Sequence, residues 1–403
     1  MILAGPDAQT TILLLFVASI VAIIARRMRL PTTVGLLVTG FGLALFGSVY
    51  RHVGLNAHTL TTLLLPPLIF EGALNTRWRD LKRDLVLIVA LTTVGVVIAC
   101  FAVALIMKEA LGWSWRDAMV FGALIAATDP IAVLAMFKFA GIEGRPKLLL
   151  EAESLLNDGT AVVLYSLLLA VFSLHAMPPT PGAVLLMTLK VIGGSLACGI
   201  AVGWCMTIVA GRASDALTET TLTTVAAFGA YYLAERIQGT GILASLAAGL
   251  VMGNAGMRAD GIITERGQEI VEAFWDFAAF VANSLVFLLM GMSLAHVRLD
   301  VAWQVAPVSV AAGLLGRALT VYGVTSVFGK TSMAVTRTLK HLLFWGGQRG
   351  GLSLVLALSY AATLGASADR FLAATVTVVT YSVIVQGLTF APLLTRLNAS
   401  QSK

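Results

Sequence analysis

The chain alternates long apolar runs with short polar connections. The hydrocarbon core of a bilayer is about 30 Å thick and takes about 20 apolar residues per helix. Runs of that kind fill the sequence from Thr10 to Leu397. Hydropathy predicts thirteen spans, near residues 10–26, 31–49, 60–76, 84–108, 116–139, 147–173, 182–210, 216–236, 239–254, 269–294, 303–328, 339–365 and 370–396. The expected fold class is an all-α polytopic membrane protein, one transmembrane domain over residues 1–403. The first run, TTILLLFVASIVAII, has no basic residue before it and RRMR after it. That order is the reverse of a cleavable signal peptide, so the run is expected to stay as the first span. Only a short tail follows the last span, and no soluble regulatory domain is expected.

Spans one to six pair with spans eight to thirteen. Spans two and nine are both short and glycine-rich, VGLLVTGFGLALFG against GILASLAAGLVMGN. Spans five and twelve are both interrupted, at AATDPIAV and at GGQRGGLS. Each span lies seven positions from its partner, an odd offset, so the halves enter the membrane from opposite faces. The expected organisation is two inverted six-helix repeats, about 10–173 and about 216–396, around a linking helix near 182–210, with two unwound, crossing helices. Corresponding broken segments in inverted halves are the sequence mark of a secondary transporter's binding site.

Composition agrees with this class. Apolar residues make up 58% of the 403 and charged ones 12%, against about 25% charged in soluble domains. The net charge of +6 comes without any basic block interleaved with aromatics, so no nucleic-acid partner is indicated. The placement of the basic residues is more informative. With the N-terminus outside, the inner connections and tail hold 18 Lys and Arg residues and the outer ones 6. The positive-inside rule then predicts N-out, C-in. NTRWRDLKRDL reads as an interfacial linker with Trp78 at headgroup level, and Lys190 as a side chain that snorkels. Cys100, Cys198 and Cys205 lie in apolar runs without CxxC or Cys/His spacing, which predicts small buried side chains rather than disulfides or zinc. No nucleotide site, redox centre or nucleophile motif is present, so neither an enzyme nor a cofactor is expected. The driving energy must then come from an opposing gradient.

Ionisable groups at bilayer depth are functional candidates. In ESLLNDGTAVV of span six, Glu153, Ser154, Asn157 and Asp158 share an arc of about 140° at helical pitch. This face offers oxygens, which suit hard cations. In ATDPIAV of span five, Pro130 should open the helix at Thr128–Asp129, since proline lacks the N–H and clashes with the preceding turn. Thr128 can then supply oxygens to a ligand or simply line the kink, and Asp129 can cap the second half-helix. Arg317 and Arg349 lie within spans and need acidic or carbonyl partners, because they do not lose their protons. Glu153 is the natural partner of one of them; for Arg349 a clamp on unwound carbonyls of span twelve is expected. Glu71, after a double proline, either lines an access path or makes a structural polar contact.

FEGAL, ATDPIAV, ESLLNDGTAVV, YLAERIQGTGILASLAAGLVMGN, GRALTVY and GGQRGGLSLVLALS, in that order, resemble the monovalent cation:proton antiporter family that contains NhaP and the eukaryotic sodium/proton exchangers. The resemblance covers nearly the whole chain. It implies an integral protein of the bacterial inner membrane, a homodimer in which a core domain moves against a dimerising scaffold. Asp158 is implied to carry the exchanged ion or proton. Thr128, Ser154 and Glu153 are implied to shape the site of the monovalent cation, with Asn157 beside it. Asp129 and Arg349 are implied to stabilise the unwound helices, and Arg317 to be the core arginine near Glu153. The Asn157-Asp158 pair resembles the electroneutral branch; a related branch has two aspartates. The expected activity is exchange of Na⁺ or Li⁺ for H⁺ by competition at Asp158, with K⁺/H⁺ exchange as the alternative ion choice. A cation channel would need a continuous pore, and one buried carboxylate near arginine fits a binding site better. An intramembrane aspartyl protease would carry Gly-x-Gly-Asp, whereas here glycine follows the aspartate.

Overall fold

Backbone N–H and C=O groups in hydrocarbon must find partners inside the protein, so apolar spans of this length fold as helices. The structure, a computed structural model, describes residues 8–28, 30–46, 57–173, 180–213, 215–258, 262–295 and 298–401. Arg29, Arg51 and Lys403, used in the charge count, lie outside them. Each of the thirteen expected spans corresponds to a helix or a broken pair of helices. The first three are α1 (Ala8–Arg27), α2 (Thr32–Phe46) and α3 (Ala57–Asn75); α4 (Trp78–Thr92) and α5 (Val94–Leu111) form the fourth. The fifth is split into α6 (Trp115–Ala126) and α7 (Ile131–Phe139). Then follow α8 (Arg145–Ser173), α9 (Pro181–Ala210), α10 (Ala216–Arg236), α11 (Gly241–Val251), α12 (Glu265–Leu294) and α13 (Leu299–Ala318). A wide turn, Leu319–Val324, continues α13 into the short α14 (Thr325–Val327). The twelfth is split into α15 (Arg337–Gly346) and α16 (Gly351–Ala361), and the thirteenth is α17 (Ala368–Tyr381) with α18 (Gly387–Gln401). Among the described residues six helical stretches are long and apolar enough to cross a membrane by length and composition: Trp78–Leu111, Arg145–Phe172, Gly182–Ala210, Glu265–Leu294, Asp300–Lys330 and Ala368–Leu394.

Two expectations change. The stretch around Trp78 is not a linker: it forms the opening turns of α4, which run directly into the apolar part. Leu81 and Asp84, three residues apart on one helical face, are both buried while the basic residues between them are exposed. Among the cysteines only Cys100 is buried; Cys198 is part-buried and Cys205 exposed. Hydropathy cannot separate the lipid-facing side of an apolar helix from the side that faces protein.

The chain divides into two units, one of residues Met1–Leu60, Val86–Asn157 and Asn283–Lys403, the other of Thr61–Leu85 and Asp158–Ala282. In the second, Phe70, Leu74 and Trp275 centre the core, and the Trp275 indole donates to Thr223 Oγ1 at 2.9 Å. Buried Glu219 accepts from the Thr264 N–H and hydroxyl at 3.1 and 3.0 Å, ordering the start of α12. In the first unit Leu37, Leu288, Met290 and Val379 share a core, and α2 crosses α12 where Gly40 and Gly291 let the backbones touch. A Cβ at either glycine would land on the facing helix's backbone, at Leu288 or Leu37. Small residues at such crossings are how helices pack closely in lipid.

This crossing gives a paired test on one helix. Gly40→Ala should destabilise by about 1–3 kcal/mol through overpacking. Gly42→Ala, where an added Cβ meets nothing within 4 Å, should be neutral or stabilising by about 0.5–1 kcal/mol. Thermal unfolding of the two variants in detergent checks the order; equal midpoints would refute the close approach.

Candidate functional site

The polar residues singled out in the broken spans of the first unit gather at the two breaks, Thr128 and Arg349 buried and Asp129 half-buried. Because Pro130 has no N–H to give, α6 stops at Ala126 and α7 starts at Ile131. Asp129 Oδ1 accepts from Ile131 N at 2.9 Å and caps the second half-helix. The Asp129 N–H donates to the Gln348 carbonyl at 2.6 Å, an isolated antiparallel bridge between the two breaks. Gly350 must lack a side chain there, since a Cβ would collide with Asp129.

Helix ends leave carbonyls without intrahelical donors, and in this site side chains supply the donors. Arg349 donates to the carbonyls of Ala126 and Ala127, both at 3.2 Å, and to Gly313 at 3.4 Å. Ser353 Oγ donates to Leu124 O at 2.7 Å. The expected clamp of Arg349 on span twelve is therefore corrected: it holds carbonyls of spans five and eleven. The reason is local, since its neighbour's carbonyl at Gln348 already serves Asp129, whereas α6 ends with open carbonyls. On the other break, Arg349 N donates to Ser382 Oγ at 2.8 Å, and Ser382 is hydrogen-bonded to Gln386.

α8 runs past the first break. Asn157 Oδ1 accepts from Thr128 N at 3.1 Å, while Asn157 Nδ2 donates to Thr128 Oγ1 at 2.7 Å and to Glu153 Oε1 at 3.3 Å. The Thr128 and Ser154 hydroxyls pair at 3.0 Å. Glu153 takes a bidentate pair from Arg317, at 2.5 and 2.8 Å, and Arg317 also donates to Leu343 O at 2.6 Å. Thr128, Glu153, Ser154, Asn157, Arg317 and Arg349 are all at most 5% exposed. Taken together, these contacts set Glu153 and Asp129 against Arg317 and Arg349 and hold the Thr128 and Ser154 hydroxyls side by side.

The whole chain, not only this core, has known counterparts. Residues 12–396 match the family described as "Sodium/hydrogen exchanger, transmembrane". The chain belongs to that family. Its members are transporters rather than enzymes. Among relatives, the Na⁺/H⁺ antiporter ApNhaP of Aphanothece halophytica is 35% identical over 92% of this chain and 70% of its own length. The Na⁺/H⁺ antiporter NhaP of Pseudomonas aeruginosa is 32% identical, with 93% of each chain covered. The solved sodium proton antiporter MjNhaP1 of Methanocaldococcus jannaschii has the same fold, with a TM-score of 0.77, 21% identity, and coverage of 96% of this chain and 97% of that one.

Asp158 follows Asn157 on α8, one turn beyond Ser154. It is partly exposed where Glu153, Ser154 and Asn157 are buried. Glu71 on α3 accepts from Asn75 Nδ2 at 2.6 Å, a contact within its own helix. Sequence reasoning passed over Gln348, Ser382 and Gln386. Gln348 sits inside the glycine-rich break already marked, and Ser382 and Gln386 are polar residues four apart in an apolar span; both signals were readable.

The Glu153–Arg317 contact sets a quantitative expectation. Breaking a buried pair from one side costs about 3–5 kcal/mol. Arg317→Ala should lower thermal stability in detergent by that order, and the Glu153→Ala, Arg317→Ala double variant should lose less than the sum of the single losses. A strictly additive cycle would mean that the two residues do not interact.

Proposed function

We propose that this cation/proton antiporter exchanges Na⁺ for H⁺ one for one, through competition for the Asp158 carboxylate. The commitment of the other polar groups on that face of α8 carries this reading. Glu153 is neutralised by Arg317. Asn157 uses its amide nitrogen as a donor to two partners, a task that an ionised aspartate cannot perform. Asp158 is then the residue of this face whose titration changes the site's charge. Partial desolvation favours its neutral form, and a bound cation favours the ionised form. A proton or a cation is carried, not both, and coupling follows if the empty, charged site does not cross readily.

Ser154 and Thr128 supply oxygens beside Asp158 in this proposal. Their hydroxyls, hydrogen-bonded to each other, turn toward the ion when it binds. Alternating exposure of the site, two inverted repeats, assembly as a homodimer, an N-out, C-in orientation and residence in a bacterial inner membrane complete the reading. The relatives named as Na⁺/H⁺ antiporters favour Na⁺; Li⁺ uses the same oxygens, and K⁺ is the alternative.

Reconstituted Asp158→Asn should keep its fold, since a neutral amide is cheaper to bury than a carboxylate, and its cation-driven proton flux should fall to that of empty vesicles. In the wild type, rising Na⁺ should move the pH profile of exchange toward lower pH, because more protons are needed to displace the cation. Coupled exchange retained by Asp158→Asn, or a profile indifferent to Na⁺, would assign the carrier elsewhere.

One-for-one exchange moves no net charge. With equal cation and proton gradients across proteoliposomes, an imposed membrane potential is expected to drive no cation-dependent proton flux. Flux that follows the potential would show that more than one proton moves per cation.

A further inference from the structure

Away from the network, buried Glu219 and half-buried Asp117 both have hydrogen-bond partners. Glu219 is held by Thr264, and Asp117 accepts from the Tyr360 hydroxyl at 2.7 Å. A different situation exists beside α15. A cavity of about 420 Å³ is lined by Tyr322, Val335, Arg337, Lys340 and His341. That volume lies within the usual range of ligand sites, about 300–1,000 Å³, and the lining holds two permanent cations and no carboxylate. The salt bridges among the described residues involve neither Arg337 nor Lys340. Arg337 is exposed and Lys340 and His341 are half-buried, so all three can be reached from outside.

The polar groups are also directed. Tyr322 OH and His341 Nδ1 are 2.7 Å apart. When Nδ1 accepts the tyrosine proton, Nε2 carries the ring proton and is a donor. Helix spacing brings Arg337, Lys340 and His341 to one side of α15, at positions i, i+3 and i+4. Arg337 contributes a planar fork that matches phosphate oxygens, and Lys340 a point charge. Two cations and a neutral donor suit a group with several oxygens and one to two negative charges. The Val335 and Tyr322 side chains add apolar wall for whatever ester the group carries.

We propose that the recess formed by Tyr322, Val335 and the α15 residues Arg337, Lys340 and His341 binds a phosphate-bearing anion. The phosphate of an anionic lipid headgroup and free phosphate share this chemistry. Binding is expected to weaken with salt, because solvent-accessible charges are screened beyond about 8 Å at physiological ionic strength.

The test uses the full chain in detergent, with phosphatidylglycerol, phosphatidylcholine and inorganic phosphate as probes, read by native mass spectrometry and thermal shift. Removing two phosphate-facing charges should weaken binding by about tenfold or more, each basic residue near an anionic surface contributing about 1 kcal/mol. Arg337→Gln with Lys340→Gln is the primary variant, and Arg337→Gln alone, at an exposed position, serves if the double variant folds poorly. Lys190→Gln with Arg212→Gln, both exposed on other elements, removes the same charge and should leave binding unchanged. Retention of phosphatidylglycerol over phosphatidylcholine that the primary variant loses supports the site with a lipid headgroup as its source. The same loss with inorganic phosphate alone supports it with free phosphate as the source. Wild type that binds neither anionic probe, or equal loss in both double variants, overturns the proposal.

Discussion

Breaking a helix in the middle of a membrane exposes peptide groups that lipid cannot satisfy, and this constraint organises the whole site. Each unsatisfied group in hydrocarbon costs several kcal/mol, so the two breaks in spans five and twelve persist only because each supplies partners to the other or receives them from a neighbour. The Asp129 N–H takes the Gln348 carbonyl. The open end of α6 is closed by Ser353 and Arg349, and the entry to α16 by Ser382. Removing the donor at one break leaves carbonyls unmet at the other. This mutual dependence explains why charged residues sit so deep in an otherwise apolar chain.

The charges obey the same geometry. A helix C-terminus carries partial negative charge and an N-terminus partial positive charge. Arg349 lies at the C-terminal end of α6, and Asp129 at the N-terminal end of α7. The two half-helix ends are therefore each met by the opposite sign, next to an already neutral Glu153–Arg317 pair. Glu153 acts as a counter-charge in this arrangement, and the cost of burying Arg317 is offset by two hydrogen bonds to it and one to a carbonyl.

What the sequence made readable follows from the range of each interaction. The thirteen spans were legible because burial in lipid depends on local composition. The break at Thr128–Asp129 was legible because Pro130 acts on its own turn, and the cap by Asp129 because it reaches only two residues. Pairings between residues far apart in the chain were not. No local rule states that Arg349 reaches Ala126 rather than its own span, or that Asn157 bonds the backbone of Thr128. The opening turns of α4 were misread for the opposite reason: the basic residues suggested an interface, while the spacing of Leu81 and Asp84 already described a helix. Cys205 shows a further limit, since an apolar helix looks the same on its lipid-facing and protein-facing sides.

Asn157 joins these observations. Its amide does three things at once, holding the Thr128 N–H, the Thr128 hydroxyl and the Glu153 carboxylate. An ionised aspartate there would keep the first contact, lose both donor roles, and place a second negative charge against Glu153. Like charges that close raise the affinity for a proton, so the position would become a titrating site, and the Thr128 hydroxyl, which now accepts from the amide, would have to donate instead. Charge and site geometry thus meet in a single side chain. The choice of asparagine rather than aspartate before Asp158 is a choice about structure as much as about charge, and a chain that changed one would have to rebuild the other.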